Sequence, residues 1–570
     1  MKTRNKLYDK SRLRLLCLLT ALLGLFGAGQ TWAGNPTTLT VGGTSVLGGG
    51  CWTTDENGKL TATESTTDYN VKYDSATGTL TLKNANITGD SSTNFSAGIY
   101  AEGDLTIVLE GSSTVTGVVC NDESRGINTL DGNLTIQGGG SLTARGADTS
   151  GSGSCSYGID VYGSFTQQGG SVTAIAGNVS GNNPSSGLYV SGTVTVKGGT
   201  LTATGGSAAI NNSYGIYAYS SSVTVSDATV TATSGSAGYA SYGLYIGSSS
   251  PSVTLSGSSS LTARSGSATD TAGGIYVQNP FGSTGFVTVG DNSTLLANSV
   301  ILCDNSFTEK PLAPNGNGSW LIYGQSNQTS AVGGNYTLTD NLTIESGNTL
   351  TIPSGSTLTI PEDKTLTADA DQLVVNGELV LEGTFTADAK ELTGTGAIVL
   401  GDITLTDDKG MDEYKDYQLK LKSKKVTYVR ALSDNSQYGT ICLPFVPTSV
   451  AGGQVTYYQV LELESNEITL VETDFKAGKP LFYQTPGTGS ITFSAESAAG
   501  VELVTPPATD SFMEGTMSEA TPDTGYFLKN GNIYPITDGV QVKVKPFRAY
   551  VKGQNDASQA SVMSVNVARP

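Results

Sequence analysis

The 570-residue chain contains no histidine. That absence removes Ser-His-Asp and Cys-His catalysis, His-ligated zinc and imidazole proton shuttling. Charge is scarce, at 14% of residues, and skewed: 31 basic against 50 acidic side chains leave a net charge of −19. An acidic surface repels phosphate backbones and no concentrated basic patch offsets it, so nucleic acid and anionic lipid are not expected partners. Long apolar runs are missing too. The run LLCLLTALLGLFGAG from Leu15 is short of the about 20 residues of a membrane helix, and no second run follows, so no transmembrane span is expected.

That run sits behind a basic start (Lys2, Arg4, Lys6, Lys10, Arg12, Arg14) and ahead of TWA, with small Thr31 and Ala33 flanking a cleavage point before Gly34. Residues 1–33 therefore read as an export signal, and the protein is expected to be secreted or displayed on the outer cell surface. Cys17 follows bulky Leu15 and Leu16 where a lipidation motif wants small residues. Processing removes six basic residues and one acidic, Asp9, taking −19 to −24. Cys51, Cys120, Cys155, Cys303 and Cys442 remain, an odd number whose spacing matches no zinc pattern. Cys120 and Cys155 precede successive repeats; a disulfide between neighbouring loops and a pair of buried free thiols are both open.

What the chain has in abundance is Gly, Ser and Thr, arranged in phase. Gly98, Gly126, Gly158, Gly187, Gly215, Gly243 and Gly274 recur every 28 to 32 residues, each opening three short alternating segments such as GLYV, VTV and LTA. A fixed period of this length signals a solenoid with three strands per turn. A disordered linker of similar composition would not hold three apolar alternations in phase through seven units. Alternation assigns Ile99, Ile127, Ile159, Leu188, Ile216, Leu244 and Ile275 to an inward column on the first sheet. Val194, Val223, Val253 and Val287 form the second column, and Val115, Leu142, Val172, Leu201, Val230, Leu261 and Leu295 the third.

From residue 342 the pattern tightens to eights, with Leu342, Leu350, Leu358 and Leu366 heading LTI-like segments; three eights make one minimal rung. Ahead of the array, residues 69–89 read as strands that, with Trp52, seal the first rung. The organisation expected is a signal at 1–33, cap strands at 34–97, long rungs at 98–300, short rungs at 301–410, a junction at 411–425 and a β-domain at 426–570. In the junction Lys420 and Lys422 alternate with Leu419 and Leu421, the pattern of a lysine-guarded edge strand. Beyond it YGTICLPFV, GKPLFYQ, GYFLKNGNIYPI and VQVKVKPFRAYV are strands separated by turn residues, as in a compact antiparallel sandwich.

If Ile or Leu points inward, the next residue points out. The outer column becomes Tyr100, Asn128, Asp160, Tyr189, Tyr217, Tyr245 and Tyr276, an aromatic strip on which the apolar faces of a polysaccharide or surface glycan can stack. A self-stacking ladder that stabilises the sheet is the alternative. Inserts at 118–124, 146–156 and 177–186 emerge beside this sheet; in the first, Asn121, Asp122 and Glu123 carry oxygens suited to calcium, although the calcium-binding nonapeptide repeat is absent. No other cofactor is suggested. Hydrolysis needs converging carboxylates, whereas Asp104, Asp131, Asp160 and Asp227 occupy different strand positions and Arg145 and Arg264 lie on distant rungs. A non-catalytic protein is expected, with a polysaccharide lyase or hydrolase as the enzyme alternative.

The rungs GIYAEGDLTIVLEGSSTVTG and RGINTLDGNLTIQGGGSLTARG resemble those of secreted, pectin-lyase-like right-handed parallel β-helix proteins described as carbohydrate-binding, over residues 69–300. YGTICLPF, AGKPLFY, NGNIYPI and VKPFRAY resemble a C-terminal module of Bacteroidales cell-surface proteins, over 426–552. Asp74-Ser75-Ala76 and Asp270-Thr271-Ala272 look like O-glycosylation acceptors of that group. Together these imply an all-β chain: a right-handed parallel β-helix of three sheets followed by a small antiparallel β-sandwich-like domain, exported and adhesin-like. The partner implied is a glycan on host material or a surface; a protein-binding adhesin or structural stalk, meeting surface proteins, remains the other reading.

Overall fold

A computed structural model describes residues 35–568, apart from 91–93, 220–221, 248–250, 279–286, 304–308, 325–329, 433–437, 465–466, 486–488, 530, 538–540 and 554–561. Residues 1–33, read above as an export signal, and Cys17 among them lie outside the described residues. The chain divides into two units, the first ending at Gly318 and the second beginning at Ser319. Among the described residues no helix is long and apolar enough to cross a membrane.

The first unit is a parallel β-solenoid of about eight turns. Its first sheet stacks Phe95–Glu102, Glu123–Leu130, Cys155–Val161, Ser185–Val190, Ser213–Ala218, Ala240–Gly247, Thr271–Gln278 and Val300–Cys303. The register is the one the repeat dictates: Ile99 lies beside Ile127, Ile127 beside Ile159, and so on through Leu188, Ile216, Leu244 and Ile275. All seven are buried, as are the valine column of the second sheet and the Val/Leu column of the third. Each rung thus adds one aliphatic layer to a narrow core, and each buried side chain of this size contributes about 1.5–3 kcal/mol. At one end Thr38–Val41 runs antiparallel to Phe95–Glu102, and the strands Gly50–Thr54, Val71–Asp74 and Thr79–Lys83 extend the second sheet, burying Trp52.

Two details of the corner before the first sheet decide whether a rung closes. The first is the repeated glycine. At Gly215 an added Cβ would stand 2.6 Å from the carbonyl oxygen of Gly243 on the next rung and against the amide of Thr233, so only hydrogen fits. The second is a serine two residues earlier, in the recurring pattern SxG[IL], which apolar alternation alone does not single out. Ser124, Ser156, Ser185, Ser213 and Ser241 are fully buried, and each hydroxyl works twice. Ser213 donates to the Gly206 carbonyl of the turn before it at 2.7 Å and accepts from the Gly235 amide of the next turn at 2.8 Å. Ser156 and Ser185 repeat this pattern on Ala147 and Gly177, and on Gly177 and Gly206. A buried turn cannot leave these groups unpaired, because each orphan costs about 1–3 kcal/mol.

In the second unit the short rungs behave as the eights require. Leu366 returns beside Leu342 after one 24-residue turn, while Leu350 and Leu358 sit on two other sheets and are buried. The junction differs from its expected form. Lys420–Leu432 is no edge strand: it pairs in parallel with Ala397–Leu400 and Ile403–Leu405 on one side and antiparallel with Gly489–Leu503 on the other. Leu421 points into the coil, and the outward lysines are neutralised on neighbouring rungs, Lys422 by Glu378 at 2.5 Å and Lys424 by Glu382. The lysine alternation marks an outer face of ion pairs on a central strand. Downstream, one sheet (Tyr438–Ile441, Leu481–Gln484, Thr456–Leu463, Glu467–Glu472, Ser564–Val567) and another (Met513–Thr516, Arg548–Val551, Tyr526–Lys529, Asn532–Pro535) share a core of Ile468, Leu470, Phe482, Met513, Ile533 and Val551. The arrangement is sandwich-like and mainly antiparallel, with one parallel pair between Glu467–Glu472 and Ser564–Val567.

Replacing Ser213 by Ala is expected to lower unfolding stability by about 1–3 kcal/mol, since it orphans a buried amide. Gly215→Ala should cost more than that, because the obstruction is backbone on both sides. Urea denaturation of the two variants beside the parent ranks them; equal midpoints for all three would contradict this account of closure.

Candidate functional site

The candidate site is the outer face of the first sheet. The residue after each inward Ile or Leu falls into one continuous column in the order Tyr100, Asn128, Asp160, Tyr189, Tyr217, Tyr245 and Tyr276. Of the two forms open to it, an open strip and a self-stacking ladder, the packing has the second. Tyr276 is 8% exposed and Asn128 and Asp160 are buried, while Tyr100, Tyr189, Tyr217 and Tyr245 are part-buried.

The cover comes from a second aromatic column in the residue before the glycine: Tyr157, Tyr214 and Tyr242, all buried. Strict alternation counted back from Ile216 sends Tyr214 into the coil. That phase does not carry across Gly215, and Tyr214 instead stacks on Tyr217, with centroids 4.5 Å apart and planes 10° from parallel. Tyr242 meets Tyr276 at 4.4 Å. Along the ladder Tyr189 to Tyr217 and Tyr217 to Tyr245 are edge contacts at 5.1 and 4.8 Å, and Tyr245 stacks on Tyr276 at 5.5 Å. Such pairs are each worth about 0.5–1.5 kcal/mol beyond the area they bury. The ladder therefore stabilises the sheet by itself. Burial also raises the phenol pKa values, pushing Tyr245 up to about 12, so the rings stay uncharged.

Two further rings project beyond the ladder. Tyr162 and Tyr219 lie two residues past the GIx triplet, in GIDVY and GIYAY, and are 46% and 56% exposed. Each leans on a ladder ring: Tyr162 on Tyr189 at 6.3 Å and Tyr219 edge-on to Tyr217 at 6.1 Å.

Towards Tyr100 the face becomes polar. Tyr100 donates to Glu102 at 2.8 Å, and its pKa is pushed up to about 12 by burial and that carboxylate. On the next two rungs Arg125 lies over the rings of Phe95 and Tyr157, 5.2 and 5.4 Å from their centroids. Its Nε donates to Asp160 Oδ2 at 2.5 Å and its Nη1 to Glu123 at 2.6 Å. Asn128 adds a second donor to Asp160 Oδ2 at 3.2 Å, whereas Oδ1 of Asp160 is buried without a partner. Burial outweighs Arg125 and raises the Asp160 carboxyl to about 6. Burial opposes the Arg125 charge, but Asp160, Cys155 and Glu123 more than offset it, and its pKa rises.

Of the two readings open for Cys120 and Cys155 the structure has the buried free thiols, and parts of the calcium candidates on this insert are engaged elsewhere. Glu123 is committed to Arg125, and the main-chain carbonyls of Asn121 and Asp122 accept the Gly151 and Cys155 amides at 2.7 Å each, as part of the inter-rung ladder. Among the described residues no group of three or more Cys, Asp or Glu side chains converges as a metal would require. Cys120 and Cys155 are free and buried. The parallel register sets Cys120 beside Thr149 and Cys155 beside Glu123, so the two thiols sit at different heights along the rung. Of the other acidic positions weighed, Asp104 accepts the Asn133 amide at 2.6 Å and Asp227 that of Ser258 at 3.0 Å; both hold turns.

A carboxyl with a folded pKa near 6 against an ordinary 3.8 binds its proton more tightly when folded. Its contribution to stability is fully present below about pH 4 and is lost as pH rises through about 6. The difference in unfolding free energy between the parent and Asp160→Asn should therefore shift against the parent by on the order of 1–3 kcal/mol between pH 4 and pH 7. Denaturant titrations at the two pH values measure it, and a pH-independent difference would contradict the assignment.

Comparison with family models, curated proteins and solved structures finds no match for this chain.

Proposed function

We propose that the protein is an exported, non-catalytic carbohydrate-binding protein of adhesin type, whose solenoid holds a glycan against the outer face of its first sheet. The observation that carries this reading is the contiguous run of uncharged rings Tyr162, Tyr189, Tyr217 and Tyr219, exposed at both ends and braced from below by Tyr214. Apolar sugar faces stack on such rings while phenol hydroxyls meet the sugar hydroxyls. The net charge of −19 favours an uncharged or surface-presented glycan over anionic polymers.

Export is part of the proposal and rests on the basic start, apolar run and TWA of residues 1–33. The pectin-lyase-like resemblance of the rungs and the likeness of the C-terminal segments to a Bacteroidales surface module support the same setting, an envelope-associated protein facing glycans.

The test is retention on a panel of insoluble polysaccharides by the parent and by a variant carrying Tyr217→Ser with Tyr245→Ser. The parent should be retained by at least one, and the double variant released from it while its solenoid still unfolds cooperatively. A parent retained by none of the panel, or a variant retained as well as the parent, would overturn the reading.

A further inference from the structure

The ladder tyrosines that the repeat singles out are mostly consumed in packing against one another. What faces solvent is the column two residues further along the strand, continued from Val161, Val190 and Ala218, which are paired in register. That column runs Tyr162, Ser191, Tyr219 and then Gly247: ring, small residue, ring, no side chain. The backbone ladder continues into it, with the Ser191 amide donating to the Val161 carbonyl and the Tyr219 amide to that of Val190, both at 2.9 Å. Tyr162 and Tyr219 therefore stand two rungs apart, roughly 9.6 Å at the strand spacing.

The geometry points to a period-two glycan site: Tyr162 and Tyr219 are stacking platforms for alternate sugars of an extended, uncharged β-linked chain lying along the solenoid axis. This rests on the carbohydrate-binding reading above and names the class of glycan. Two rungs match the length of a disaccharide. In a diequatorial β-1,4-linked chain neighbouring rings are flipped, so the same sugar face returns every second residue, once per platform. At Ser191, which carries no ring of its own, the intervening, inverted sugar meets a small side chain hydrogen-bonded to the Tyr189 phenol. An α-linked chain coils and presents no such repeat. A uronate chain would bring carboxylates towards Glu123, whose side chain is 42% exposed beside the Tyr162 end, on an acidic protein.

Each platform is held before any ligand arrives. Tyr189 and Tyr217 brace the two exposed rings, and Tyr189 and Tyr217 are themselves in contact at 5.1 Å, so little side-chain freedom remains to be lost on binding. Being about half exposed and outside the coil, the two platform rings can be removed with little effect on folding.

Affinity measurements with cellohexaose, maltohexaose and hexagalacturonate on the parent, Tyr162→Ala, Tyr219→Ala and the double variant test the proposal. The parent is expected to prefer cellohexaose, each single substitution to weaken that binding by about 3-fold to 10-fold, and the double variant to lose more than either. The Tyr217→Ser/Tyr245→Ser protein and the polysaccharide panel separate the two levels of inference. If the parent binds maltohexaose or hexagalacturonate better, or if both platform variants bind cellohexaose as the parent does, the period-two site is overturned while carbohydrate binding stands. If the parent binds no hexasaccharide and no polysaccharide, both fall.

Discussion

Every part of the first unit depends on backbone meeting backbone at the strand spacing of about 4.8 Å, rung after rung, with no space for error at the corners. The repeated glycine is where that constraint is tightest. At Gly158, Gly187, Gly215 and Gly243 the position a Cβ would occupy is already taken by the main chain of the same rung's third strand or of an adjoining rung. Because the corner cannot widen, the strand that follows enters each rung at a fixed height and phase. Inward aliphatic columns, outward tyrosines and the projecting rings are all consequences of that common starting point. The buried serines complete the corner chemically: they are the smallest side chains able to give one hydrogen bond backward and accept one forward.

A solenoid of this kind separates stability from display. Core layers and serine bridges stabilise each rung through its neighbours, so local terms add along the axis. The outer face then has freedom to vary between rungs, and it does. Two rungs carry Asn128 and Asp160 in the column where others carry tyrosine, and there a buried guanidinium, two carboxylates and an amide replace ring stacking. The aromatic and ionic solutions occupy the same geometric position. They differ in their response to solvent: the rings hold no charge over the physiological range, whereas the Asp160 carboxyl, short of a partner on Oδ1, titrates within reach of it.

Much of this was legible in the text of the chain, and the failures share a cause. Period and alternation were enough to place all inward columns, because a residue with neighbours at fixed register above and below has one face available. Extended back across the glycine, the same rule would send Tyr214 and Tyr242 inward; the phase does not carry across that residue, which the paired register omits. It misread the junction because lysine alternating with leucine describes one face of a strand and says nothing about its edges; Lys420–Leu432 turned out to be paired on both. Cys120 and Cys155 looked equivalent by their place ahead of successive repeats, yet a parallel register compares heights along the rung, and theirs differ. The motif GIxxY that carries Tyr162 and Tyr219 was visible and unread, because two occurrences in seven rungs do not register as a repeat.

Those two occurrences matter because of what the ladder cannot do. A ring that stabilises the sheet by edge and face contacts on several sides has little surface left for a ligand, so the better a tyrosine column packs, the poorer a platform it becomes. Tyr276, touched by Tyr242 and Tyr245, stands at that limit. A face that both braces and binds must divide the work between columns. Here the inner columns support, and the sparse outer column, aromatic at alternate rungs from Tyr162 to Tyr219, is left facing outward. Sparseness is then part of the arrangement: a ring on every rung would come close enough to pack edge-on against its neighbours, as Tyr189, Tyr217 and Tyr245 do, and would close the surface that spacing by two keeps open.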